Sequence, residues 1–125
     1  MKIRIYYEDT DCGDVVYYAN YLKYMERSRT ELLRGKGVDL ASYHKEGVLF
    51  AVVEAKIKYQ YPARYNDLLD VRSEVTKLSP SSVVFETDIK NQDKRDIIKG
   101  SVKLACLKNG KLTRIPDSVL EKIRV

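Results

Sequence analysis

Apolar and polar side chains alternate at the start of the chain. Over residues 2–8, Ile3, Ile5 and Tyr7 fall on one side and mostly charged residues fall on the other. A period of two is typical of a strand with one buried face. The polar run over residues 9–14 ends this predicted strand.

The period lengthens over residues 18–34 and becomes that of a helix. One stripe of this segment carries Tyr21, Leu22, Met25, Ser28 and Leu32, and charged side chains face away from it. The pattern predicts an amphipathic helix that begins near Tyr18 and is roughly 25 Å long. Gly35 and Gly37 are expected to end it.

Alternation then returns and predicts four strands, over residues 53–61, 69–76, 83–90 and 96–108. Asn109-Gly110 favours a type I′ turn, so residues 111–115 are predicted to fold back as a hairpin. Asp117 is expected to cap a short final helix after Pro116. Short connections indicate an antiparallel sheet, and one long helix can cover only one of its faces. We therefore expect a single α+β domain over residues 1–125.

Charge and composition narrow the class of protein. Lys and Arg number 23 against 18 Asp and Glu, which gives a net charge of +5. These charges are interspersed and no aromatic-basic RNA-binding motif is present, so we favour a soluble surface that suits a polyanion such as coenzyme A over a nucleic-acid interface. No run approaches the ~18 apolar residues of a membrane span, and the start of the chain does not resemble a signal peptide.

The chain contains few potential metal ligands. The chain has two cysteines, far apart in sequence, and one histidine. These residues cannot complete a usual His/Cys metal site. We expect a reduced, cytoplasmic protein without a metal, a signal peptide or a transmembrane segment.

One segment resembles a known family closely. Residues 4–22, RIYYEDTDCGDVVYYANYL, are similar to the R-[IV]-x4-T-D-x2-G-V-V-x-H-x2-Y pattern of the 4-hydroxybenzoyl-CoA thioesterase and YbgC-like acyl-CoA thioesterase family. Residues 61–64 with Asp67, and residues 114–116, also resemble that family, so the similarity covers nearly the whole chain. Two positions depart from the pattern: Asp14 stands where the family has glycine, and Tyr18 stands where it commonly has histidine.

The resemblance implies a fold and an assembly. The fold is the hotdog, a long helix wrapped by a curved antiparallel sheet. Active sites in the family form between paired subunits, so a homodimer or a tetramer built as a dimer of dimers is expected. No cofactor is implied.

The family resemblance also implies a reaction, the hydrolysis of an acyl-CoA thioester. Thioester hydrolysis requires a carboxylate, as base or nucleophile, and donors for the developing oxyanion. By this likeness Asp11 is the carboxylate, and the backbone N–H of Tyr18 at the helix start polarises the carbonyl oxygen. Because this donor is backbone, it survives the replacement of histidine by tyrosine. Without the motif, a turn or capping carboxylate is the favoured interpretation of Asp11.

Further residues are candidates for substrate contacts. Tyr21 and Met25 either line an acyl tunnel or belong to the plain core. The coenzyme A phosphates are expected to meet cationic residues near strand ends, although each of these is also typical of a solvated surface: Arg64, Lys108, Lys111 and Arg114.

The sequence is also compatible with other functions. The chain could be a non-catalytic scaffold that binds acyl-CoA or acyl carrier protein. A hotdog hydratase or dehydratase is disfavoured, because its histidine would have to be His44 in an exposed-looking stretch. Cys12 as a thiol nucleophile lacks a nearby base. Cys106 has the spacing of a buried strand residue, and Asp9 is expected to bind loop amides.

Overall fold

A computed structural model describes residues 1–124 as one curved sheet packed on one long helix. The sheet has six antiparallel strands in the order β1-β3-β4-β5-β2, and β6 pairs with the end of β5. The strands are β1 (Lys2–Arg4), β2 (Val48–Tyr59), β3 (Leu68–Leu78), β4 (Ser82–Lys90), β5 (Asp96–Lys108) and β6 (Lys111–Leu112). The helices are α1 (Asn20–Gly35), α2 (Leu40–Lys45) and α3 (Asp117–Ile123), and a 3-10 turn spans Tyr7–Asp9.

The core lies between α1 and the concave face of the sheet. On the helix, the buried side chains are Tyr21, Tyr24, Met25, Ser28 and Leu33. Met25 packs over Gly100 of β5 so closely that a Cβ atom at Gly100 would lie 2.5 Å from the Met25 Cε atom. The predicted α+β hotdog architecture is therefore confirmed.

The helix starts later and faces the sheet at a different angle than predicted. Its first residue is Asn20, because Tyr17 to Ala19 form a turn in which the Asn20 N–H bonds the Tyr17 carbonyl. Leu22 was expected on the buried stripe but is 43% exposed. Tyr24 is buried instead, and its hydroxyl bonds the Asp9 carboxylate.

The first and second strands also differ from their predicted bounds. Tyr7 is 77% exposed, because the Asp9 carboxylate accepts the Tyr6 N–H at 2.7 Å and turns the chain into a 3-10 helix there. β2 begins at Val48, five residues before its predicted start. A bulge at Val53 shifts the register, and Val53 and Ala55, expected in the core, are exposed.

The end of the chain follows the predicted hairpin. Asn109 and Gly110 have φ of 51° and 81°, as a type I′ turn requires, and Lys108 pairs with Lys111. Asp117 does not cap α3, since the structure places Pro116 at the N-cap with no side-chain cap bond. The Asp117 carboxylate instead lies 3.8 Å from the Arg114 guanidinium.

Candidate active site

Asp9 anchors the loop that joins the first strand to α1. One carboxylate oxygen accepts the Tyr24 hydroxyl at 2.7 Å and the other accepts the Tyr6 N–H at 2.7 Å. Its carbonyl accepts the Tyr17 N–H at 3.0 Å and the Asn20 side-chain amide at 2.9 Å. Asp9 thereby fixes both ends of the loop to the helix, and it binds loop amides as expected.

Asp11 lies in a tight turn within this loop. Its N–H bonds the Val15 carbonyl at 2.9 Å, and Thr10 pairs with Val16. Its Oδ1 atom accepts the Gly13 N–H at 2.7 Å, while its Oδ2 atom accepts no hydrogen bond within residues 1–124. Asp14 closes the turn with a φ of 64°, which explains why glycine is suited to this position. The Asp11 carboxylate is exposed and keeps one oxygen available.

The backbone just before α1 carries unused donors. Within residues 1–124, the N–H of Tyr18 donates no hydrogen bond, whereas its neighbours Tyr17 and Asn20 both donate. The Tyr59 hydroxyl donates to the Tyr18 carbonyl at 3.3 Å and ties this turn to the end of β2. Because Tyr18 lies in a turn two residues ahead of Asn20, its N–H precedes the helix proper.

A cavity of about 250 Å³ opens beside Tyr18 and is lined largely by tyrosine rings. Tyr21, the residue predicted to line an acyl tunnel, forms part of its wall together with Tyr59 and Tyr61. The Tyr21 hydroxyl accepts the Ala63 N–H at 3.2 Å, and burial raises the pKa of this phenol. The Arg95 guanidinium stacks 3.5 Å from the centre of the Tyr61 ring.

The other residues predicted to contact substrate lie in separate parts of the structure. Arg64 lies near the turn, since its backbone pairs with Val15. Lys108, Lys111 and Arg114 lie at the other end of β5, roughly 35 Å along the strand from the end that bonds Tyr61. Within one chain, these three cationic residues are therefore far from Asp11. Met25 is 1% exposed and packs on Gly100, as a core residue does.

Among residues 1–124, the thiols of Cys12 and Cys106 and the imidazole of His44 take no part in the hydrogen bonds of the Asp11 loop. Cys12 is an exposed free thiol and His44 is exposed on α2. Cys106 is buried in β5, and burial raises the pKa of its thiol. No cluster of three or more His, Cys, Asp or Glu side chains in residues 1–124 is placed to hold a metal. Over the same residues, no helix has the length and apolar character needed to cross a membrane.

Sequence reasoning did not identify Tyr59, Tyr61 or Arg95 as neighbours of this site. Alternation predicted Tyr59 and Tyr61 in the core, but Tyr59 ends the edge strand and Tyr61 follows it, and both line the cavity beside Tyr18. Only the tertiary structure reveals this, because the Tyr59 hydroxyl bonds the Tyr18 carbonyl, which lies 41 positions away in sequence.

Comparison with known proteins decides the family. A family model described as the thioesterase superfamily matches residues 13–98. The chain belongs to the thioesterase superfamily. The family predicted from the sequence and the assignment as a thioester hydrolase are thus confirmed.

Individual relatives support the same placement along almost the whole chain. The acyl-CoA thioester hydrolase YbgC of Escherichia coli is 34% identical over 98% of this chain and 92% of its own length. The acyl-CoA thioesterase YbgC of Haemophilus influenzae is 39% identical over 88% of this chain and 81% of its own length. The crystal structure of DHNA-CoA thioesterase from Staphylococcus aureus superposes with a TM-score of 0.93 at 26% identity, covering 99% of this chain and 89% of the other.

Proposed function

We propose that this protein hydrolyses the thioester bond of an acyl-CoA, releasing a free acid and coenzyme A. The observation that carries the proposal is the loop before α1. It holds an exposed carboxylate with one unused oxygen, on Asp11, and an unused backbone donor, on Tyr18. The activities named for the YbgC relatives support the same reaction.

In the proposed mechanism, Asp11 acts on the thioester carbonyl as a nucleophile or as the base that activates water. Attack converts the carbonyl oxygen into an oxyanion, which the Tyr18 N–H stabilises by a hydrogen bond, and collapse of this intermediate breaks the C–S bond and releases the coenzyme A thiolate. With Asp11 as the base, the proton taken from water passes to the thiolate; with Asp11 as the nucleophile, water then hydrolyses the acyl-Asp11 anhydride. The bond from Gly13 to Oδ1 holds the Asp11 carboxylate in one orientation, so its Oδ2 atom is presented to substrate. Hydrolysis in this form requires no cofactor.

The proposed active unit is a pair of copies joined along β2. This strand has 12 residues and, within residues 1–124, pairs with a neighbour only on its β5 side. Val52 and Val53 are 52% and 58% exposed on it, and a long apolar edge strand is a ready template for another strand. A twofold axis makes the two β2 strands antiparallel.

This pairing also accounts for the distant cationic residues. Antiparallel β2 strands bring the Val48 end of one copy beside the Tyr59 end of the other. Lys108 is paired with Val48 through β5, so it accompanies that end. In the pair, Lys108 and Lys111 of one copy approach the Tyr18 turn of the other, where they are proposed to meet coenzyme A phosphates, with Arg114 nearby and Arg64 from the first copy.

The test is thiol release from a panel of short, long and aromatic acyl-CoAs. Asp11→Asn retains an acceptor for the Gly13 N–H but removes the carboxylate, so kcat is expected to fall at least about 100-fold. Because Asp11 is exposed, the free energy of unfolding is expected to change by less than about 0.5 kcal/mol. Glu8→Gln, at an exposed carboxylate on the preceding 3-10 turn, is the matched control and should keep its rate. Unchanged turnover by Asp11→Asn contradicts the assignment, and tight binding without turnover by the wild type indicates a scaffold instead.

A further inference from the structure

A second cavity, of about 150 Å³, lies beneath the C-terminal half of α1. Its wall is mainly apolar and is built from both helices and strands. The lining includes Leu33, Leu40, Phe50, Phe85, Leu104 and Ile123. An apolar cavity of roughly this size accommodates one benzene-sized ring or a short hydrocarbon chain.

Arg29 is the cationic residue in this wall. It is half-buried and, within residues 1–124, donates no hydrogen bond and forms no ion pair. Arg34 and Arg72, by contrast, bond the carboxylates of Glu31 and Asp70. Burial lowers the pKa of the Arg29 guanidinium, and the negative charge of Glu26 offsets this lowering only in part.

The neighbouring acid attracts the Arg29 charge without forming an ion pair with it among residues 1–124. Glu26 lies one turn before Arg29 and also lines the cavity, but its carboxylate accepts the Thr30 hydroxyl at 3.2 Å and is not paired with Arg29. Leu40 and Phe50 continue from the cavity into a shallower groove of about 380 Å³, which opens toward β2. Through this groove a small ligand can reach Arg29 from the Val48 end of β2, which in the proposed pair lies beside the Tyr59 end of the other copy.

We propose that this cavity binds a small carboxylate, whose hydrocarbon part contacts the apolar wall and whose carboxylate pairs with the Arg29 guanidinium. A planar guanidinium can donate two parallel hydrogen bonds to a carboxylate, which selects this anion by shape as well as charge. The inference rests on the proposed function in one respect: the acids that thioester hydrolysis releases have this chemistry.

The cavity is separate from the Asp11 loop of the same chain. Arg29 lies about 14 Å along the axis of α1 from Asn20. The carboxylate can arrive as a free acid, or as the far end of an acyl group still attached to coenzyme A. Both sources share an apolar segment that ends in a carboxylate.

Binding is tested by NMR titration of the full-length, ¹⁵N-labelled protein with benzoate and hexanoate. Benzyl alcohol and hexanol are the neutral counterparts. The wild type is expected to show saturable shifts at Leu33, Phe50 and Leu104. Arg29→Met should weaken the Kd for both acids about tenfold and should leave the alcohols unaffected, since only the ionic hydrogen bonds are lost. Arg34→Met, on the exposed side of the same helix, is the matched control and should bind like the wild type.

A filling variant gives an independent check on the location. Leu104→Phe is expected to reduce binding of acids and alcohols alike, with folding verified by circular dichroism. The proposal is overturned if Arg29→Met binds benzoate and hexanoate as tightly as the wild type, or if the shifts occur only around Tyr18 and Tyr59. The titration needs no turnover, so absence of thiol release would count against the proposed function and not against this site.

Kinetic measurements distinguish the two sources of the carboxylate, a free acid and an acyl group attached to coenzyme A. We compare kcat/KM for glutaryl-CoA and hexanoyl-CoA in the wild type and Arg29→Met. A loss confined to glutaryl-CoA, whose acyl chain ends in a carboxylate, identifies the acyl group as the source. An unchanged ratio of the two values, together with acid binding in the titration, identifies the free acid.

Discussion

The Tyr24 hydroxyl donates a hydrogen bond to the Asp9 carboxylate at 2.7 Å, joining the second turn of α1 to the loop that carries Asp11. Tyr24 is 1% exposed, so the bond forms at the margin of the core. The same carboxylate also accepts the Tyr6 N–H. The position of the candidate active-site loop therefore depends on a residue whose side chain is otherwise in the core.

Removing this hydroxyl should destabilise the protein. Tyr24→Phe leaves one Asp9 oxygen without its donor, and hydrogen bonds to charged groups contribute about 1.5–3 kcal/mol. We expect the free energy of unfolding in urea to fall by roughly that amount. Tyr43→Phe is the control, because it breaks only the exposed bond to Ser118 and should cost less than about 1 kcal/mol. Equal losses in the two variants would show that the Asp9 contact has no special weight.

Alkaline pH should reveal the same contact. Burial and the bond to Asp9 raise the pKa of Tyr24, so its phenol stays protonated in the folded protein. In the unfolded chain it ionises near the ordinary value of about 10. The contribution to stability is therefore complete below pH about 10 and is lost as the pH rises above it. Unfolding free energies measured on either side of that pH should fall more steeply for the wild type than for Tyr24→Phe, and parallel curves would refute the prediction.

Asp14 holds the turn after Asp11 in left-handed backbone, with a φ of 64°. Alanine adopts this conformation at a cost of about 1–2 kcal/mol, whereas glycine adopts it freely. Asp14→Ala is expected to lower the free energy of unfolding by about 1 kcal/mol, and Asp14→Gly is expected to be less affected. Thermal unfolding of the pair measures the difference. Identical melting temperatures would mean that the turn adopts another conformation in solution.

The exposed edge of β2 should control assembly. Val53→Lys places a charge on the apolar edge that is proposed to pair with a second copy, so sedimentation should detect monomers in place of dimers. Thr76→Lys, at an exposed position of β3 on the opposite side of the sheet from β2, adds the same charge and should stay dimeric. If thiol release requires Lys108 from the second copy, Val53→Lys also loses activity. A dimer unaffected by Val53→Lys would place the interface elsewhere.

Much of the fold was predictable because its signals are local. The strand predicted over residues 96–108 has the same bounds as β5, and Asn109-Gly110 adopts the turn that its backbone preference predicts. The burial of residues in β2 was predicted wrongly, because it depends on where the strand lies in the sheet. Its alternation was interpreted as a core face, but the bulge at Val53 and the position of β2 at the sheet edge expose Val53 and Ala55.

Some features of the candidate site were likewise predictable from local sequence, and others were not. The sequence by itself determined the loop chemistry around Asp11, since a short polar segment carries its own turn preferences, and it determined the resemblance to a thioesterase family. Only the tertiary structure decided that Asp9 is held by Tyr24, that Tyr59 bonds the Tyr18 turn, and that Lys108 lies far from Asp11 in the same chain. These relationships join residues from separate elements, and their geometry follows from strand order and helix packing, which residue pattern alone does not specify.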